Sequence, residues 1–261
     1  MRILLTNDDG IMAPGLRATA RCLQSVGDVT VIAPQSQQSA AGHGITLHKP
    51  LRLDRIDLGP GIEAYSSNGT PADCVILGAL GDLPRPDFVV SGVNAGANLG
   101  EEVLYSGTVS AALEAALHDI PSLAVSVCEY VDPILDVAVH VTPVLVGALR
   151  KWPLQPGTVL NVNIPNVPAE DIVGIELTRL GRRRYADIVV KRDDPQGRPY
   201  YWFTGTPLET DCAPGTDIHA IRHNSISLTL VHFDLTSYQE WSGFAALQAD
   251  DMLLRPEARL S

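Results

Sequence analysis

Two adjacent carboxylates, Asp8 and Asp9, are the residues of this chain whose type and spacing best suit a divalent cation. They follow a short apolar run at residues 3–6, which predicts a buried strand. Neighbouring carboxylates repel each other unless a cation or hydrogen-bond donors lie between them, and hard divalent cations prefer oxygen ligands. A solvated turn is the alternative, because Asn, Asp and Gly are also turn residues. The position at a strand end, where α/β sheets bind ligands, favours the metal site.

A phosphate-binding helix start is predicted at residues 105–110. Ser106, Gly107 and Thr108 lie directly before an Ala-rich stretch at residues 109–117 that predicts a helix. The first backbone N–H groups of a helix have no partner within it, and the helix dipole favours an anion at this end. Plain N-capping by Ser106 or Thr108 is the alternative at this point.

Two further loops offer neutral oxygen ligands. Residues 91–100 carry Asn94 and Asn98 between glycines, and these amides could complete a metal shell or contact phosphate without adding negative charge. The segment lacks the Lys of a Walker loop, so it does not indicate ATP hydrolysis. Residues 35–44 contain Ser39, whose hydroxyl could bind a metal, and His43, an acid/base candidate; an ordinary polar connection is the alternative here.

Alternating strands and helices are predicted to position these loops. Apolar runs predict strands at residues 29–33, 88–90, 123–127 and 159–164, and helical spacing predicts helices at residues 14–26, 70–80, 109–117 and 134–149. This alternation predicts an α/β fold with a doubly wound, mostly parallel sheet. In such a sheet the loops that follow the strands gather along one edge, which would bring the candidate residues together.

The regular alternation fades after about residue 130. Residues 187–204 predict a protruding β-hairpin of the kind that reaches a neighbouring subunit, residues 225–233 predict a strand, and the tail beyond Asp234 has no clear pattern. We expect a single domain over residues 1–261. Residues 1–130 would form the core that carries the site, and residues 131–261 would complete this core and add the oligomerisation hairpin and a C-terminal extension.

Composition and charge limit the partners. The formal net charge of −11 argues against binding of a nucleic acid polymer, which needs many Lys and Arg contacts. No apolar run approaches the roughly 20 residues that span a bilayer, and the N-terminus lacks a signal-peptide pattern, so we expect a cytoplasmic protein without a membrane partner. The dispersed cysteines predict reduced thiols. We expect Arg182–Arg184 to be a solvated or interface patch that could attract longer anionic substrates, and Asp73 to serve structure near a helix start.

In combination, these segments closely resemble the SurE family of survival proteins, which act as metal-dependent 5′-nucleotidases. The resemblance rests on five ordered segments, at residues 3–10, 33–39, 68–74, 91–98 and 105–109. It implies a Rossmann-like fold with catalytic Asp8 and Asp9. By the same resemblance, the metal ligands are Asp8, Asp9, Ser39 and Asn94, and the phosphate site is lined by Asn94, Asn98, Ser106, Gly107 and Thr108.

The resemblance also implies the substrates and the cofactor. It implies hydrolysis of nucleoside 5′- and 3′-monophosphates with some action on polyphosphate, one Mg²⁺ or Mn²⁺ ion per subunit, and a homodimer or homotetramer built partly by exchanged C-terminal elements. The residues leave two mechanisms open, a metal-activated water or a nucleophilic aspartate with a phosphoenzyme intermediate. A non-catalytic metal or nucleotide sensor is the alternative function. A nucleotide-binding oxidoreductase is disfavoured, because the first strand is not followed by Gly-x-Gly-x-x-Gly.

Overall fold

Apolar runs that end in polar loops form the strands of a nine-stranded central sheet. The computed structural model describes residues 1–185, 188–204 and 207–241. In chain order, the strands are β1 (Arg2–Thr6), β2 (Asp28–Pro34), β3 (Leu53–Ile56), β4 (Glu63–Ser67), β5 (Phe88–Ala95), β6 (Ser122–Val127), β7 (Thr158–Ile164), β8 (Gly174–Thr178), β9 (Arg182–Tyr185), β10 (Ile188–Asp193), β11 (Pro199–Thr204), β12 (Pro207–Asp211) and β13 (Ser225–His232). The α-helices are α1 (Pro14–Leu23), α2 (Pro71–Leu80), α3 (Gly107–Leu117), α4 (Asp136–Lys151) and α5 (Asp217–Arg222).

The strand order creates a crevice at the end of the first strand. The sheet runs β3-β4-β2-β1-β5-β6-β7-β13-β8, and the six strands from β4 to β7 are parallel to one another. From β1 the chain passes to β2 on one side, and later strands from β5 onward continue on the other side. The doubly wound, mostly parallel sheet is therefore confirmed. Ligands bind outside the carboxyl ends of the strands at such a switch point, which here lies between β1 and β5.

Helices cover both faces of the sheet. α1 packs with α4 over one apolar cluster, and α2 packs with α3 over another. In α1, Leu16, Ala20 and Leu23 recur at helical spacing and are fully buried. The alanines of α3 are small enough to let this helix lie close to the sheet. No helix in the described part of the chain combines the length and the apolar character needed to cross a bilayer.

Most predicted elements are confirmed, with shifts at their ends. α1 ends at Leu23 rather than at residue 26, because the last residues form a turn in which Ser25 donates to the Cys22 carbonyl. The strand predicted at residues 88–90 continues to Ala95, since polar residues within β5 are buried rather than solvated. The sequence patterns did not reveal β3, β4, β8, β9, β12 or α5 as separate elements.

The predicted hairpin consists of β10 and β11, which pair antiparallel from Ile188–Thr204 to Asp193–Pro199. Asp194 stabilises the turn, because its Oδ1 accepts from the backbone N–H groups of Gln196 and Arg198 at 2.8 and 2.9 Å. The strand predicted at residues 225–233 is β13. Most of the unpatterned tail, residues 242–261, lies outside the described residues.

A register shift in β5 turns the end of this strand toward the crevice. Between Ser91 and Asn94 the pairing with β6 is displaced. Gly92 occupies the shift with φ of +128°, and a Cβ atom there would lie 2.3 Å from the Val125 carbonyl oxygen. Only glycine fits this backbone without movement of a neighbouring strand.

We predict that Gly92→Ala lowers the free energy of unfolding by about 2–4 kcal/mol, because the methyl group adds a backbone overlap to a disfavoured φ. Urea denaturation of the purified variant measures the change. Gly147→Ala in α4 is the matched control: no heavy atom lies within 4 Å of its added Cβ, so the higher helix propensity of alanine should stabilise the helix slightly. Equal midpoints for Gly92→Ala and wild type would contradict this account of β5.

Candidate functional site

The loop after β1 presents Asp8 and Asp9 at the switch point. Asn7 shapes this loop: its side-chain amide accepts from the Gly10 N–H at 3.2 Å and donates to the Gly10 carbonyl at 3.1 Å. Asp8 is buried and Asp9 is half-buried. The turn chemistry of Asn and Gly is therefore present, but it holds the two carboxylates inside the crevice rather than in solvent.

The carboxylate of Asp8 lies against the N-terminus of α3. Thr108 donates twice to it, from Oγ1 to Oδ1 at 2.6 Å and from the backbone N–H to Oδ2 at 3.2 Å. A Cβ atom on Gly107 would lie 2.9 Å from the Asp8 Cβ, so the close approach of helix and loop depends on glycine at this position. Asp8 thus receives the favourable electrostatic effect of the helix dipole.

Asp9 points to the end of β5. Its Oδ2 accepts from the Ala95 backbone N–H at 3.0 Å, and its Oδ1 has no hydrogen-bond partner among the described residues. Next to it, Asn94 donates from Nδ2 to the Gly96 carbonyl at 2.8 Å, which leaves the Asn94 Oδ1 as an acceptor. The loop after β1 therefore meets the end of β5 at Asp9, whose partner Ala95 is the neighbour of Asn94 in the chain.

The surroundings raise the pKa of both carboxyls. Burial is the main cause at Asp8, where hydrogen bonds from Thr108 act in the opposite direction. Burial raises the pKa of Asp9 to about 6; the Ala95 N–H lowers it, and the charge of Asp8 adds to the rise. Within the described residues, no Lys, Arg or His side chain forms an ion pair with either carboxylate. In this part of the chain, hydrogen-bond donors and the helix dipole are thus the only groups found to offset the negative charge of the pair.

This donor set suits a hard divalent cation. In the described part of the chain, no three His, Cys, Asp or Glu side chains cluster as a metal site. A cation between Asp8 and Asp9 would therefore complete its shell with neutral oxygens, such as Asn94 Oδ1, and with water. Such shells of few carboxylates, amide oxygens and several waters are typical of Mg²⁺ rather than of Zn²⁺.

Ser39 lies in the loop after β2, next to Gln38, whose backbone contacts Asp8. The backbone N–H of Gln38 donates to the Asp8 carbonyl at 2.7 Å, which brings the loop to the first strand. Ser39 itself is exposed, and its hydroxyl makes no hydrogen bond with a described residue. The structure therefore places Ser39 beside the site without a contact to the other candidate ligands.

Asn98 lies in a buried polar network below the loop that follows β5. Its Nδ2 donates to Ser126 Oγ at 2.7 Å, its backbone N–H donates to Asn163 Oδ1 at 2.8 Å, and its carbonyl accepts from the amides of Asn161 and Asn163. Sequence analysis missed Asn161 and Asn163. Their signal was two polar residues at alternate positions of an otherwise apolar strand, which is unusual in a buried sheet.

The start of α3 has features of both interpretations of residues 105–110, N-capping and an anion-binding helix start. Ser106 is the N-cap, because its Oγ accepts from the Val109 N–H at 3.1 Å. Thr108 binds Asp8 through its N–H and its hydroxyl, so these donors of the predicted phosphate cradle already face a carboxylate. The Ser106 hydroxyl hydrogen is not used in this cap, and the positive end of the helix dipole favours an anion here.

A second unpredicted feature ties the loop after β2 to α3. Glu114, a nearly buried carboxylate of α3, accepts from His43 Nε2 at 2.7 Å and from His118 Nε2 at 3.0 Å. The hydrogen bond from His43 is the main cause that holds the pKa of Glu114 below its usual range. His43 thus anchors its loop, and this geometry does not support the acid/base role considered from the sequence.

We predict that His43→Ala accelerates amide hydrogen exchange of its loop by roughly tenfold, the loss expected from one hydrogen bond to a carboxylate. The Gly42 N–H, which donates to the Tyr105 carbonyl at 3.0 Å, is the most informative probe. His118→Ala is the matched control, since it removes the other partner of Glu114 without touching the loop. Equal exchange in the two variants would show that His43 is not the anchor.

Two further expectations have clear outcomes. Asp73 is structural, as expected: it forms a capping box with Thr70 at the start of α2, and its Oδ1 accepts from the Thr46 N–H at 2.9 Å. Of the two alternatives for Arg182–Arg184, a solvated or an interface patch, the solvated one does not hold for Arg183, which is half-buried and forms an ion pair with Glu102 at 3.2 Å. Arg182 is exposed.

Comparisons with known proteins agree on one family. The family model "Survival protein SurE" matches residues 3–187. The 5′-nucleotidase SurE of Moorella thermoacetica is 50% identical over 249 residues, covering 94% of this chain and 95% of the relative, and that of Heliobacterium modesticaldum is 49% identical over 241 residues, covering 91% and 88%. The crystal structure of the SurE protein from Aquifex aeolicus matches with a TM-score of 0.82 and 38% identity, over 95% of this chain and all of that one.

Proposed function

Because the chain belongs to the survival protein SurE family, we propose that its strand-end site is that of a metal-dependent 5′-nucleotidase, which hydrolyses nucleoside 5′-monophosphates to nucleoside and phosphate. The observation that carries the proposal is the pair at the switch point: buried Asp8, which lies against a helix N-terminus, and half-buried Asp9, neither with a basic partner among the described residues. This arrangement suits a cation and a phosphoryl group together. Nucleoside 3′-monophosphates and polyphosphate are proposed as further substrates.

One Mg²⁺ or Mn²⁺ ion per chain is proposed, with Asp8, Asp9, Ser39 and Asn94 as ligands. Asp9 Oδ1 and Asn94 Oδ1 support this set, because both are acceptors without a hydrogen-bond partner in the described residues. When bound, the ion would supply Lewis-acid polarisation of the phosphoryl group and acidify a water molecule. Ser39 would join after a small movement of its exposed loop.

The phosphoryl group is proposed to lie at the start of α3, near Asn94, Asn98, Ser106, Gly107 and Thr108. The Ser106 hydroxyl can donate to a phosphoryl oxygen, since only its oxygen is used in the cap. Gly107 lets Asp8 lie close to the same helix start. The helix dipole stabilises both the Asp8 carboxylate and the charge that develops on the phosphoryl oxygens. Asn98, whose amide is held by Ser126, keeps the β5 loop in position.

The attacking group is proposed to be a water oriented by Asp8 or Asp9, with attack by an aspartate as the competing route. Asp9 is the better placed of the two for either task, because Thr108 binds both oxygens of Asp8 whereas Asp9 Oδ1 is free of described donors. Either route requires the Asp9 carboxylate.

Phosphate release from nucleoside monophosphates and p-nitrophenyl phosphate tests the function. The assay compares EDTA, Mg²⁺ and Mn²⁺ for the wild type and Asp8→Ala, with circular dichroism to confirm that the variant folds. Metal-restored release that the variant lacks is the expected result. Intact metal binding by the wild type without release from any substrate would indicate a non-catalytic sensor instead.

A homodimer or homotetramer is proposed, with the β10–β11 hairpin as part of the interface. Trp202 and Phe203 on β11 are 61% and 88% exposed, an unusual exposure for large apolar residues that a second chain would cover. Light scattering of the full chain in solution gives the mass that decides between monomer, dimer and tetramer.

A further inference from the structure

A cavity of about 410 Å³ begins at the loop that follows β5. Gly96 and Ala97 line it, and the Gly96 carbonyl accepts the hydrogen bond from Asn94 Nδ2. One end of the cavity therefore lies two residues from a proposed metal ligand. Its size falls within the roughly 300–1,000 Å³ that is typical of small-molecule sites. None of the roles assigned above uses this space.

The ring of Tyr130 forms one wall of the cavity. Tyr130 is 62% exposed, yet both its ends are held. Gln37 Nε2 donates to the Tyr130 hydroxyl at 3.0 Å, and Glu129 Oε1 accepts from the backbone N–H of Tyr130 at 2.8 Å. A Cβ atom on Gly96 would lie 3.9 Å from the Tyr130 ring, so the ring reaches the loop of the candidate site. A flat aromatic surface is thus fixed beside the loop that follows β5, two residues from Asn94, with much of its area open.

The remaining walls provide mixed polar groups and an apolar floor. Glu129, Arg222 and the ion pair of Arg183 with Glu102 contribute polar groups of both charges, and Ile218 contributes apolar surface. Donors and acceptors together match the edges of a nucleobase and the hydroxyls of a ribose. The Cys128 thiol is not a second reactive centre, because burial raises its pKa to about 12.

We propose that this cavity is the subsite for the nucleoside part of the substrate, with the Tyr130 ring stacked against the base. The inference rests on the proposed nucleotidase function and adds where the leaving nucleoside binds. A cavity for polyphosphate alone would not need an exposed aromatic ring held at both ends. Because every base has a π face, the subsite recognises a base without strict selection among bases.

The test compares AMP with ribose 5-phosphate, which has the same phosphate ester but no base. We expect Tyr130→Ala to lower kcat/KM for AMP by about ten- to a hundredfold, the range expected for one lost base stack. Its kcat/KM for ribose 5-phosphate should stay within about twofold of the wild type. Tyr130→Phe, which keeps the ring and loses the hydrogen bond from Gln37, should stay within about threefold for both substrates.

Trp152→Ala is the matched control, since Trp152 is an exposed aromatic residue at the end of α4 that does not line the cavity. It should leave both substrates unaffected. Equal loss of AMP and ribose 5-phosphate turnover in Tyr130→Ala, or no loss for either, would overturn the subsite while leaving the nucleotidase function intact. A wild type that hydrolyses neither substrate would overturn the proposed function, and the subsite with it.

Discussion

Asp9→Asn is expected to lower kcat/KM for AMP at saturating Mn²⁺ by at least about a thousandfold. The variant removes one of two carboxylates that have no basic partner among the described residues. Losing the metal ion removes several kcal/mol of transition-state stabilisation, and each step of about 1.4 kcal/mol corresponds to a factor of ten in rate. The fold should survive, because the asparagine Oδ1 can still accept from the Ala95 N–H. Steady-state kinetics with purified protein measures the loss.

The same variant should be no less stable than the wild type without metal. Burial and the Asp8 charge disfavour an ionised Asp9 at pH 7.5, and a neutral amide removes this repulsion. Asp87→Asn is the matched control, since Asp87 pairs with Arg2 at the opposite end of the strands. Asp87→Asn should keep full activity. Full metal-dependent activity in Asp9→Asn would exclude both proposed routes of attack.

As pH falls below 6, the affinity for Mn²⁺ is expected to weaken. Each proton that the ion must displace contributes about a tenfold loss per pH unit. The pKa of Asp9 is raised to about 6 and that of Asp8 is also raised, so the metal-free pair holds protons that the cation must displace. The part of this pH dependence that comes from Asp9 should fade above about pH 7. Calorimetric titrations at pH 5.5, 6.5 and 7.5, in buffers of different ionisation enthalpy, give both the affinity and the number of protons released.

The sign of the effect on stability follows from the same pKa shift. A folded-state pKa above the unfolded value means that the folded protein binds more protons between about pH 4 and pH 6, so metal-free stability falls as pH rises through that range. Bound metal should reverse this loss at pH 7.5. An affinity that is independent of pH from 5.5 to 7.5, with no proton release, would contradict the carboxylate pair as the metal site.

The sequence predicted the strand end that carries Asp8 and Asp9 because local patterns define it. An apolar run followed by Asn7, Asp8, Asp9 and Gly10 indicates a strand end with turn residues and paired carboxylates, and the structure has β1 and its loop there. The alternation of apolar strands and amphipathic helices was enough to predict the doubly wound sheet. Likewise, Asp73 and Thr70 are three residues apart, so their capping box is a local pattern.

The contacts that the sequence did not predict join residues far apart along the chain. Thr108 binds Asp8 across 100 residues, and His43 binds Glu114 across 71. Periodicity describes one element at a time, so it cannot show which donor will meet which carboxylate. For that reason the sequence analysis predicted a phosphate site at the start of α3 but did not predict that Thr108 binds Asp8 there. The pairing of β3 with β4 was missed because β3 is short and mostly exposed, without an apolar period.

The most direct test of the central claim is a Mn²⁺ titration of the full chain in which binding and phosphate release from AMP are measured on the same samples. Electron paramagnetic resonance of free Mn²⁺ gives the binding curve, and Asp8→Ala serves as the comparison. The account predicts that activity and binding saturate together at one ion per chain, and that the variant loses both. Full activity in EDTA, or unchanged Mn²⁺ binding in Asp8→Ala, would contradict a metal site built on the Asp8 and Asp9 carboxylates.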